Sequence, residues 1–174
     1  MHRDNLKTKE LLKELTSGKE DKILSAFTAI RIRGNAELLP VIISLVFDEP
    51  TGAVRCEALN LLNDLKDKDS VPYIAAELIK HRGKNGFNNL VSSCWQCGLD
   101  FSEYLDLFAD MVVKDNFETA IEAFTVIEEN LHMLDSDRKI KLAENKLISF
   151  ETTDEPKQRL LRELERIINE NIRD

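Results

Sequence analysis

Apolar residues recur at three- and four-residue intervals along nearly the whole chain, and short polar breaks divide this pattern into about ten segments. The spacing predicts helices over 4–16, 19–33, 36–47, 53–66, 71–82 and 86–97. The seventh and eighth open at Asp100/Glu103 and Asp115/Glu118, which have capping-box spacing, as do Ser17 and Glu20 before the second helix. A ninth helix begins near Ser136 and a tenth follows "TTDEP", where Pro156 falls in a first turn with no intrahelical use for its N–H. Most linkers are a few residues long, so consecutive helices are expected to pair antiparallel, about five pairs in all.

The pairs repeat. Leu39, Pro40 and Ile42 recur as Val71, Pro72 and Ile74, an offset of 32 residues; the same offset carries Ala26 to Ala58 to Leu90, and Ile30 to Leu62 to Cys94. Helix pairs at such a period predict an α-solenoid, in which no pair buries its apolar face alone and neighbours stack into one core. The stretch "AELLPVIISLVFDEPTGAVRCEALNLLNDL" resembles a HEAT repeat, with Leu-Leu-Pro near the start of its first helix, a turn after Asp48, and Val54-Arg55 opening its second. The resemblance implies an all-α, right-handed α-α superhelix, with residues 1–174 as a single domain. Residues 36–134 carry the best-matched repeats, and 135–174 the C-terminal helices with a capping role. Pro40 falls about five residues into the predicted third helix, where it is expected to bend the axis, which suits the kinked first helix of that family. The resemblance also implies that the second helices of the pairs line a concave binding face over residues 55–130.

Composition agrees with helices, since glycine and proline number only six and four. Three cysteines in 174 residues are too few for a disulfide framework. "MHRDNLKTKE" lacks the apolar core of a secretory signal. The longest apolar run, "LLPVIISLVF", is far short of the ~20 residues that span a bilayer. A soluble, cytoplasmic protein is expected. The net charge is −8, and its excess is local: residues 67–134 hold five bases against twelve acids, and residues 100–130 hold nine acids and only Lys114 as a base. Such a surface repels phosphate backbones and anionic lipid. Nucleic acid and membrane are therefore not expected as partners.

Chemistry-bearing motifs are few. Cys94-Trp95-Gln96-Cys97 has the spacing of a redox dithiol or half a zinc site, but Phe87, Leu90, Val91, Cys94 and Cys97 form one apolar stripe at helical spacing. Both cysteines also lie in a last helical turn, where the dipole disfavours a thiolate. A zinc site needs two further ligands; Cys56 and His81 are the nearest thing to them and have no recognised spacing. Core packing is the preferred reading. His2, His81 and His132 are scattered, with no acid–base pair, Ser-His-Asp order or phosphate loop beside them. No catalytic residue, cofactor or metal ligand is assigned.

What remains lies on exposed helix faces. Asn60 and Asn63 on the fourth helix, with Asn89, Ser92 and Gln96 on the sixth, form an amide-and-hydroxyl strip flanked by Trp95. Asn and Ser are mediocre helix formers, so their clustering on one face needs a reason beyond solvation. Trp95 is either packed between repeats or an interface anchor. Glu118, Glu122 and Glu129 of the eighth helix make an acidic ridge, pointing away from Ile121 and Phe124. The expected function is a non-catalytic protein-binding scaffold or adaptor. Its partner is another protein with a basic surface, and the chain itself a monomer or weak dimer. The alternatives are an acidic inhibitor or immunity-type protein that blocks a basic enzyme and, less favoured, a HEAT-like DNA glycosylase or lyase. Leu160, Leu161, Leu164, Ile167, Ile168 and Ile172 predict an end-sealing or dimer-forming stripe, with Arg159/Glu163 and Arg162/Glu165 as surface pairs.

Overall fold

The computed structural model describes residues 2–33, 36–48, 52–146 and 154–173, and among them the chain is all-helical with no strand. The α-helices are α1 (His2–Leu15), α2 (Glu20–Arg33), α3 (Leu39–Asp48), α4 (Gly52–Asn63), α5 (Val71–His81), α6 (Phe87–Gln96), α7 (Leu105–Lys114), α8 (Phe117–Asn130), α9 (Ser136–Lys146) and α10 (Glu155–Arg173). None is long and apolar enough to cross a membrane. The helices fall into two compact units, Met1–Leu99 and Asp100–Asp174.

In the first unit α1/α2, α3/α4 and α5/α6 pack as pairs; α1, α3 and α5 adjoin in one row, and α2, α4 and α6 in another. Each helix offers one apolar stripe, and two rows bury those stripes against each other. Phe27, Leu39, Ile42, Ile43, Leu62, Leu78 and Leu90 fill the interior. Each such side chain contributes roughly 1.5–3 kcal/mol on full burial. The second unit repeats the scheme with α7/α8 and α9/α10, where α7 adjoins α9 and α8 adjoins α10. Phe101 and Phe108 meet edge to face there, centroids 5.8 Å apart, the geometry that ring quadrupoles favour.

The repeat noticed in sequence is a repeat of local structure. Short 3₁₀ turns at Ala36–Leu38, Lys68–Ser70 and Ser102–Tyr104 lead into α3, α5 and α7. Pro40 and Pro72 are each the second residue of the α-helix that follows. This corrects the expectation for Pro40. The turn before it is wound as 3₁₀, so the proline stands in a first turn whose N–H groups need no intrahelical partner, and it does not interrupt the helix. Between α5 and α6, Gly83 and Gly86 take φ of 81° and 78°, which a side chain would resist.

Three caps differ from expectation. Asp100 accepts from the Ser102 N–H at 2.8 Å and so leads into the 3₁₀ turn, not directly into α7. α8 is capped by Asn116, whose side chain accepts from the Thr119 N–H at 2.9 Å; Asp115 lies one residue too early, and its carbonyl accepts from Lys157 of α10. Ser17 accepts from Lys19 N–H at 3.3 Å and so makes a local turn before α2 in place of a capping box. α10 begins as predicted, with Asp154 accepting from the Lys157 N–H. Its Leu164, Ile167 and Ile168 are buried, while Leu160, Leu161 and Ile172 are half-covered. Its surface pairs differ from those expected: Arg166 binds both Glu163 and Glu170 at 2.6 Å, and Arg159 approaches Glu155 at 3.7 Å.

Candidate functional site

Cys94 and Cys97 are core residues, 0% and 1% exposed. The Cys94 thiol donates to the Leu90 carbonyl at 3.6 Å and the Cys97 thiol to the Cys94 carbonyl at 3.4 Å. Burial pushes the Cys94 thiol well above its ordinary value, with neighbouring Cys97 adding to the effect; burial also raises Cys97, against an opposing pull from Lys66. Lys66 donates to the Cys97 carbonyl at 2.8 Å and so binds the C-terminal end of α6. These thiols are held in their unreactive form. Cys56, on α4, is exposed.

His81, which shows no pattern in the sequence, is buried at the end of α5. Its Nε2 lies 2.9 Å from Glu77 Oε2, and its ring stacks on Phe47 with centroids 4.5 Å apart. Glu77 also takes Lys80, and Asp48 pairs with Lys84 at 3.4 Å. Arg55 Nε donates to the Val46 carbonyl at 2.6 Å, joining the start of α4 to the end of α3.

The amide strip is partly assembled. Asn63 Nδ2 donates to Gln96 Oε1 at 2.8 Å, and Gln96 Nε2 donates to Ser92 Oγ at 2.7 Å, so three predicted residues form one chain from α4 to α6. Asn63 Oδ1 is buried without a partner, an acceptor whose desolvation is uncompensated. Asn60 belongs to a second cluster: its Nδ2 donates to Glu57 Oε2 at 3.3 Å. Arg31 of α2 donates to Glu57 at 2.8 and 3.2 Å and also binds Asp64. Those carboxylates raise the Arg31 pKa, the Asp64 hydrogen bond most. Sequence periodicity does not reveal Arg31, because its partners lie 26 and 33 residues away. Asn89 stays exposed beside the Gly86 turn. Trp95, next to Gln96, is 36% exposed. The result is a polar ladder across α2, α4 and α6 with an aromatic at its edge.

In the second unit Glu118 and Glu129 are exposed on α8 and Glu122 is half-covered. The acids of α7 and of the 3₁₀ turn before it are partly neutralised, Glu103 by Arg138 at 2.6 Å and Asp110 by Lys114 at 2.7 Å. Among the described residues, none forms an ion pair with Glu118, Glu128 or Glu129. Ile121 is a correction. The pattern places it with Phe124 on the face opposite the glutamates, but it is 42% exposed and Phe117 38%, while Phe124 is buried. The reason is geometric. Phe117, Ala120, Ile121, Ala123, Phe124, Val126 and Ile127 span a wider arc than one packed face covers, and Phe117 and Ile121 lie at its edge. That excess width is the sequence signal for both residues. The sequence matches no protein-family model, and no curated protein or solved structure matches the chain.

Proposed function

We propose that this chain is a non-catalytic, cytoplasmic protein-binding scaffold built from HEAT-like helix pairs. The observation that carries the reading is the Asn63–Gln96–Ser92 chain beside Trp95. Asn63 and Ser92, which are poor for helix stability, lie on a solvent face and are tied together across two helices through Gln96. A surface ordered before binding loses less side-chain entropy when a partner arrives. The strip offers donors, acceptors and an aromatic anchor, which suits a peptide or protein surface. The α8 acids suit a partner with basic character, and the same acids favour a second reading, an inhibitor that covers a basic enzyme's active site.

The test is affinity capture with the full chain, followed by mass spectrometry. A Trp95→Ala/Gln96→Ala variant with an unchanged circular dichroism spectrum is expected to lose the proteins that the wild type captures specifically. Recovery of the same set at the same ionic strength would overturn the assignment of this face.

A further inference from the structure

The exposed face of α8 brings together features that helix stability does not explain. Phe117 and Ile121 are one turn apart and project side by side into solvent. Glu118 and Glu129 run along one side of them at helical spacing, and Glu128 closes the strip at its C-terminal end. The helix carries no lysine or arginine. Glu128 and Glu129 sit in its last turn, where the helix dipole is negative and a carboxylate is unfavourable. Nothing else within the described residues neutralises Glu118, Glu128 or Glu129. An apolar ridge in water and acids at the wrong helix end both cost stability in the free protein, and one kind of partner removes both costs.

We infer that α8 docks a basic amphipathic helix of a partner protein. Its apolar residues, at i, i+3/i+4 and i+7, would cover Phe117 and Ile121, and its lysines or arginines would face Glu118, Glu128 and Glu129. A helix fits because the apolar target is a single ridge that packs into the groove between rows of side chains on another helix. Charge decides the sign of the occupant. An acidic or neutral amphipathic helix would bury the ridge but leave the glutamates unpaired, and an anionic surface would be repelled.

This rests on the scaffold reading but uses a different face. The probe is a fluorescein-labelled helical peptide of about 18 residues, made of leucine and lysine in that register, titrated against the full chain by fluorescence anisotropy. A control peptide carries glutamate for every lysine. The leucine/lysine peptide should bind at least ~10-fold tighter than the control, and its affinity should fall as salt shortens the Debye length from ~10 Å at 0.1 M to ~3 Å at 1 M. A Phe117→Ser/Ile121→Ser variant should weaken it about 10-fold, because a partner can cover only the roughly two-fifths of each side chain that the free protein leaves exposed. Should that variant fold poorly, Glu118→Lys/Glu128→Lys/Glu129→Lys changes only exposed side chains and should produce a similar loss. Equal binding of both peptides, no binding, or affinity untouched by either variant overturns the assignment. Trp95→Ala/Gln96→Ala should leave peptide affinity unchanged. If the peptide fails while that variant still loses its captured proteins, the α8 docking site falls and the scaffold reading stands; if both fail, both fall.

Discussion

Asn130, at the end of α8, reaches 29 residues back along the chain and fixes the entrance to α7: its Oδ1 accepts from the Phe101 N–H at 2.8 Å, while its Nδ2 donates to the Val126 carbonyl at 2.9 Å. The side chain is 5% exposed, so water cannot replace either bond. Asn130→Ala is expected to destabilise the protein by about 1–3 kcal/mol, because it leaves the buried Phe101 N–H unpaired, while the Val126 carbonyl keeps its helical partner. Urea denaturation measures this as a lower midpoint with an unchanged slope; an unchanged midpoint would show that the Phe101 N–H finds another partner.

The three cysteines make a built-in accessibility comparison. Cys56 is exposed while Cys94 and Cys97 are buried with raised thiol pKa values. In a native chain treated with a thiol reagent at neutral pH, one equivalent should react quickly at Cys56. The other two should follow only in denaturant. Fast reaction at Cys94 or Cys97, located by peptide mapping, would contradict the core assignment.

α10 closes the interior of the second unit through Leu164 and Ile168, both fully buried. Leu164→Ala should cost about 2–5 kcal/mol, a large share of the ~5–15 kcal/mol that holds a typical domain together. Deleting residues 155–174 should lower the melting temperature further and reduce solubility, since α8 and α9 would lose their cover. A truncated chain with the same melting temperature and a monomeric sedimentation profile would show that α10 does not seal this unit.

Asp100 sets a contribution at acid pH. Its carboxylate accepts from the Ser102 N–H at 2.8 Å. That bond, together with the Ser102 hydroxyl, holds it below its ordinary value of 3.8. The folded state therefore binds its proton less readily than the unfolded state. Stability from this group is fully present above about pH 3.8 and is lost as pH falls through the folded value. Asp100→Asn should therefore lower stability in the neutral region and flatten the acid limb, so that the two proteins converge as pH falls through the folded value. An identical acid limb in both proteins would assign the effect to other carboxylates.

Periodicity alone carried the helix count, the 32-residue repeat and the burial of Cys94 and Cys97, because a 3.6-residue stripe marks which face of a helix must leave water. The choice of residue types also marked the amide strip, since Asn and Ser on a helix face go against propensity. Local pattern could not tell a 3₁₀ turn from the first turn of an α-helix before Pro40, where the two share spacing over three residues and differ only in hydrogen bonding. It placed the cap of α8 at Asp115, from its capping-box spacing with Glu118, whereas the cap is Asn116, because where the helix starts is set by the backbone and not by the spacing of polar residues.

The tertiary structure decided what depends on neighbours distant in the chain. Asn63 meets Gln96 across 33 residues, Arg31 meets Glu57 across 26, and Asn130 meets Phe101 across 29; each distance reflects which helices lie side by side. The same holds for Phe117 and Ile121. Their sequence declares them apolar, but a helix packed on one side has a limited buried arc, and the positions of α7 and α10 determine that these two lie outside it. Hydrophobicity is a property of a residue, and exposure is a property of its neighbours.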